Sequence, residues 1–315
     1  MRHFFISALL GTLFWALAVQ AEPASHLPRR TLEVGPDKPH TTLAAAAAAA
    51  RDGDRIVISA GLRQECAVWR ANNLLIEGAG ADVTVIADRP CQGKGLFVIT
   101  GANTTVRNLT LARAAVPDHN GAGIRAEGPD LTVENVTFED NENGILSGPH
   151  PTSRITIRNS HFVRNGSCAA ACAHGIYIGG IAALRVERSV FRDTREAHHI
   201  KSRARISEII NNDIDDGAEG TSSYLIDLPH GGTVLIRGNK LRKGPLTQNN
   251  DAAIMIGVDP GHHPTKGMRV EDNVFRNDAP KPAALVENRT TTPVILRRNR
   301  LTGQVVPLRG PGSVD

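Results

Sequence analysis

Five side chains of chemically active type crowd into one stretch. AHGIYIGG (173–180), EAHHIKSRA (196–204) and SSYLIDLPHGG (222–232) align on Ile176, Ile200 and Ile226. The next residue in each is Tyr177, Lys201 and Asp227. His199 stands just before the second isoleucine and Arg203 three after it. If the isoleucines point inward on stacked strands, alternate residues point out and neighbouring rungs lie about 4.8 Å apart, so all five share a small patch. That patch suits removal of a proton next to a carboxylate, as in a uronic acid polymer. Arg203 or Lys201 neutralises the sugar carboxylate so that the adjacent carbanion is tolerable. His199 is a base suited to neutral pH, and Lys201 becomes one if burial or Arg203 lowers its pKa. Tyr177 can protonate the leaving glycosidic oxygen, giving β-elimination; return of a proton to the opposite face gives C5 epimerisation. Asp227 can orient His199 or pair with Lys201.

The plainer reading is a solvated Lys201–Asp227 ion pair worth under about 1 kcal/mol. Concentration of reactive types on three successive rungs, where other rungs carry Leu146 and Met255, favours a site. Around it, Arg125 and Glu127 fall on the same outward columns, and His119 and Asn120 lie in the loop PDHNGAG (117–123). With His174, Tyr224 and His230 they form the expected substrate-binding set. His174 and His198 precede the inward isoleucines by two, at the strand entrance, where structural hydrogen bonding is the simpler role. No metal site is expected; Asp227 could take calcium as a ligand but has no carboxylate cluster around it.

The elements that must position these residues repeat along the chain. TTVRNLTL (104–111), LTVENVTF (131–138), ITIRNSHF (155–162), LRVERSVF (184–191), VLIRGNKL (234–241) and MRVEDNVF (268–275) share one design. Two apolar residues at spacing two are followed by a turn-prone residue and another apolar one. The period, roughly 23 to 34 residues, is in the range of solenoid coils. Between them runs a second family of strands, including AGIRAEG (122–128), NGILSG (143–148) and AAIMIGVD (252–259). Asn108, Asn135, Asn159 and Asn211 suit left-handed turn positions and are expected to stack as a structural ladder. Before the repeats, TTLAAAAAAARDGD (41–54) reads as a short helix capped by threonine and ended near Gly53.

These coils, with the opening helix followed by RDGDRIVISAG (51–61), resemble the right-handed parallel β-helix of the pectin-lyase-like superfamily. The resemblance covers essentially the whole chain after its leader. It implies an all-β solenoid of about nine to ten coils with a short N-terminal capping helix, a scaffold that hosts lyases, hydrolases, epimerases and non-enzymatic adhesins. HHIKSRARISEIINN (198–212) is similar to a histidine-rich rung of periplasmic alginate C5-epimerases. The Asp-Pro-His-Asp motif of that family is absent, and its nearest string, DLPHGG (227–232), carries Leu228 in addition. Polygalacturonase motifs do not appear, and Asp227 lacks an evident carboxylate partner for glycoside hydrolysis.

The 315 residues carry 36 Lys and Arg against 32 Asp and Glu. Residues 1–21 read as a signal peptide, 22–40 as a linker and 41–315 as one β-helix domain. Cutting the leader removes Arg2, so a formal +4 becomes +3, a bias that favours polyanions by steering. Aromatics, at 4%, are too few for nucleic-acid stacking platforms. The expected protein is a periplasmic or secreted monomer, off the membrane in its mature form, acting on an acidic polysaccharide as lyase or epimerase. The alternatives are a non-catalytic polysaccharide-binding or export scaffold, and a glycoside hydrolase. Four cysteines allow three pairings; Cys66 with Cys91 and Cys168 with Cys172 is the expected set.

Overall fold

Alternation of apolar residues fixes which side of each strand faces the interior, and a sharp turn every few residues folds the strands into coils. The computed structural model describes residues 30–169 and 171–315, so the expected leader and the first part of the linker lie outside the described residues. A twenty-stranded sheet forms two faces of each coil and a ten-stranded sheet the third; all their pairings are parallel. The result is a parallel β-helix of about ten coils.

The turn between the first two faces is built as expected. Asn108, Asn135, Asn159 and Asn211 have φ of 56°, 53°, 49° and 56°, and the Asn135 amide donates to Asn108 Oδ1 at 2.9 Å. Left-handed backbone at this point of the coil turns the chain without breaking the ladder on either side. A second, buried asparagine ladder follows one residue later. Asn212, Asn239 and Asn273 donate side-chain N–H groups to the carbonyls of Val186, Ile209 and Ile236 on preceding coils. Each therefore satisfies backbone that the turn would leave unpaired.

Two boundaries differ from expectation. Thr31–Val34, inside the stretch read as linker, is a strand paired with Arg55–Ile58; Leu32 and Val34 alternate into the core, so the first coil starts there. The helix is also shorter, Leu43–Ala49, with the Thr42 hydroxyl accepting from the Ala45 N–H at 3.1 Å. It ends early because the Arg51 N–H is taken by Asp54, at 2.7 Å, and Gly53 turns at φ 83°. Leu43 and Ala46 are buried on the first coil.

Inside, Phe138, Phe162 and Phe191 stack face to face, with centroids 4.6 and 4.5 Å apart. Room for them comes from glycine: a Cβ on Gly123 or Gly144 would stand 2.8 Å from the Phe138 or Phe162 ring. Cys66–Cys91 and Cys168–Cys172 are both disulfide-bonded. The first spans 25 residues, and its removal in Cys66→Ser/Cys91→Ser is expected to lower stability by about 3 kcal/mol through the freed unfolded chain. Urea unfolding measures it; an unchanged midpoint contradicts the estimate. No helix among the described residues is long and apolar enough to cross a membrane.

Candidate active site

The ten-stranded sheet carries the candidate patch, and its register is the expected one. Ile124, Ile145, Ile176, Ile200, Ile226 and Ile254 pair in succession and are buried. Arg125, Leu146, Tyr177, Lys201, Asp227 and Met255 form the next column. Tyr177, Lys201 and Asp227 are thus consecutive rungs.

The centre is a chain of charge and hydrogen bonding. Lys201 Nζ donates to Asp227 Oδ2 at 2.8 Å. Arg203 lies against the Tyr177 ring, 5.2 Å from its centroid, and donates from Nη1 to the phenol oxygen. From Nη2 it donates to Asp259 Oδ2 at 2.6 Å. Asp227 is 1% exposed, whereas the side chains of Lys201 and Arg203 are 16% and 22% exposed. Burial pushes the Asp227 carboxyl up, with Lys201 and Arg203 pulling against it; its Oδ1 has no hydrogen-bond partner. Asp259 goes the other way, held below the usual carboxylate range chiefly by its bond to Arg203.

His199 is not in this patch. Its side chain is fully buried, with Nδ1 2.7 Å from Thr194 Oγ1 and Nε2 2.8 Å from Asp216 Oδ1. Its ring meets Phe191 edge-on inside the coil. The reason is the corner: the residue before each inward isoleucine also turns inward, because the strand is only just leaving the bend. The column is Gly123, Gly144, Gly175, His199, Leu225, Ala253 and Leu285, and its apolar members are buried. Small and apolar neighbours on six other rungs were the available sequence signal. Strict alternation, carried through the corner, concealed it.

The histidine that does reach the patch is His198. It is stacked between His174 and Tyr224, centroids 4.9 and 5.2 Å away. Each ring accepts a backbone N–H from the next rung: His198 N–H to His174 Nδ1, and Tyr224 N–H to His198 Nδ1. Asn143 begins the ladder, accepting from the His174 N–H and donating to Asn120. With Nδ1 an acceptor, neutral His198 carries its proton on Nε2, 3.4 Å from Asp227 Oδ2. Burial, helped by Lys201 and Arg203, pushes His174 down to about 3, and burial also drives His198 well below its ordinary value. The rings are therefore a neutral wall rather than bases in reserve. His174 remains edge-on to Tyr177 at 5.3 Å.

Of the other expected binding residues, Arg125 stands two rungs from Tyr177, with Nε 3.7 Å from Glu127, itself bonded to Lys94 at 2.6 Å. His119 faces Glu142 at 3.3 Å on the loop preceding the sheet. His230 packs edge-on against His263, 3.9 Å from Asp259. Asp259 was missed because it comes from the loop after the Ala252–Ile256 strand, a connection no repeat pattern predicts. Among the described residues, no group of three or more His, Cys, Asp or Glu converges to hold a metal. A cavity of about 560 Å³ on the loops before the sheet is lined by Asp140, Glu142, Glu196 and Glu219 with Arg195; its net negative charge is wrong for an acidic polymer, and none of the patch lines it.

Comparison with known proteins follows the fold. Residues 67–173 match the family profile described as right handed beta helix region. Among solved structures, an alginate lyase from Paenibacillus sp. str. FPU-7 aligns with TM-score 0.59 and 18% identity, covering 90% of this chain and 99% of that one. Pectate lyase Pel9A aligns with TM-score 0.60 and 14% identity, covering 88% and 78%. The ORF18 protein of Geobacillus virus E2 gives 0.52 and 14%, covering 84% of this chain and 54% of its own. No curated protein sequence matches. At such identities the likeness is one of fold.

Proposed function

From the premise that the chain is a right-handed parallel β-helix protein of pectin-lyase-like fold, we propose an exported monomeric enzyme that cleaves an acidic, uronate-containing polysaccharide by β-elimination. The observation that carries this is the convergence of Tyr177, Lys201 and Arg203 on one outward patch, with Asp227 buried beneath Lys201. Two disulfides fit an oxidising compartment. The alginate lyase and pectate lyase among the similar structures are in keeping with the reading.

In this scheme Arg203 binds the substrate carboxylate and stabilises the charge that develops on it when C5 loses its proton. Lys201 takes that proton. It acts in its amine form, after losing one ammonium proton to solvent, and Asp227 holds the nitrogen in place by its 2.8 Å hydrogen bond. The electron pair from C5–H forms the C4–C5 double bond as the C4–O bond breaks. Tyr177, whose oxygen already accepts from Arg203, has its own proton free for the departing oxygen.

Hydrolysis fits less well. It needs a carboxylic acid beside the glycosidic oxygen, yet Asp227 is covered and Asp259 is held ionised by Arg203. Incubation with polymannuronate, polyguluronate and polygalacturonate, following ultraviolet absorbance and C5 configuration by NMR, tests the proposal. Unsaturated ends are expected on one of them. C5 inversion without cleavage, new reducing ends without unsaturation, or binding without any product overturns elimination and points to epimerase, hydrolase or scaffold respectively.

A further inference from the structure

We propose that Asp259 is an internal stand-in for the substrate carboxylate, holding the Arg203 guanidinium closed until an acidic sugar displaces it. The inference rests on reading the patch as a uronate site.

Taking Lys201 and Arg203 as cations and Asp227 and Asp259 as anions, the centre is neutral as it stands: Lys201 is matched by Asp227 and Arg203 by Asp259. An incoming carboxylate must therefore replace one of the two. Asp227 is covered, on a strand in the middle of the sheet, and cannot leave. Asp259 is 35% exposed and lies on the 257–267 loop.

That loop is fastened at points other than the carboxylate. The Gly257 N–H donates to Leu228 O at 2.9 Å, the Asp259 N–H to Pro229 O at 3.0 Å and the His263 N–H to His230 O at 2.9 Å. His263 Nε2 also contacts Arg203 O at 3.0 Å. Asp259 can thus turn its side chain to solvent while the loop stays in place. Its carboxylate and that of a uronate have the same charge and the same planar fork for a guanidinium, so the exchange conserves both charge and hydrogen bonding at Arg203. A neutral or methyl-esterified sugar brings no such replacement and meets a closed ion pair. Selectivity for the free acid follows from this competition rather than from a larger positive field.

The experiment compares the chain with Asp259→Asn and Asp259→Ala. Kd for a free-acid oligouronate and for its methyl ester is measured by calorimetry, in a Tyr177→Phe background to prevent turnover. The asparagine variant is expected to bind the acid about tenfold more tightly, a change of about 1.4 kcal/mol, with the ester unchanged. The alanine variant should do the same, which excludes a new asparagine contact as the cause. Equal or weaker binding of the acid in both variants overturns the stand-in, showing that Asp259 merely positions Arg203, and leaves the enzyme reading standing. Absence of acid binding in every protein, with no turnover of any uronate polymer by the parent chain, overturns both.

Discussion

Tyr177→Phe is expected to reduce turnover of the preferred uronate polymer by about 10²- to 10⁴-fold, the range for loss of a positioned proton donor. KM should change much less than kcat, since the ring's stacking against the Arg203 guanidinium remains and only the hydrogen bond from Nη1 to the phenol oxygen is lost. Lys201→Met should show a loss of the same order by removing the proton acceptor. Combining the two should cost far less than the product of the single losses, because the residues serve one event. Asp227→Asn completes the set: asparagine keeps the size of the side chain beneath Lys201 but replaces the charged acceptor that holds its nitrogen, so kcat should fall toward the Lys201→Met value. Initial rates of double-bond formation, with thermal midpoints to confirm folding, check all three. Single variants within about threefold of the parent rate would remove Tyr177 and Lys201 from the chemistry.

The second large effect concerns stability. Asp216→Ala should cost about 3–5 kcal/mol, the usual consequence of removing one partner from a buried polar pair. Asp216 is fully buried, bonded to His199 at 2.8 Å and accepting the Gly244 N–H at 3.1 Å. It also supplies countercharge to buried Lys243, which burial pushes down to about 8. Burial alone would raise the Asp216 carboxyl, but the His199 hydrogen bond and charge carry it below its ordinary value. A carboxyl depressed in the folded state contributes stability in full above its unfolded value of about 3.9 and loses it as pH falls through the lower folded one. The gap between parent and variant in urea unfolding should therefore narrow in acid. Activity lost at unchanged stability would return His199 to the active site.

Much of the architecture can be read from local chemistry. Alternating apolar residues, turn-prone residues at one point per coil and a solenoid-length period specify the parallel coils, since each acts over a few residues and repeats. The same periodicity places Tyr177, Lys201 and Asp227 on consecutive rungs, because strand register is fixed once one face is buried. Position along a straight strand was sufficient there. It failed at the corner, where His199 turns inward beside Ile200, and that failure also concealed the part played by His198, which stacks beside the patch with His174 and Tyr224.

What the sequence by itself determined was the scaffold and the column of reactive side chains. Only the tertiary structure decided which histidine reaches the patch, that Asp227 is buried beneath Lys201, and that Asp259 arrives from a later loop to occupy Arg203. The physical reason is range. Backbone alternation and turn preference are local and recur on every coil, whereas a corner's inward tilt and a loop's return depend on contacts between residues tens of positions apart that occur once.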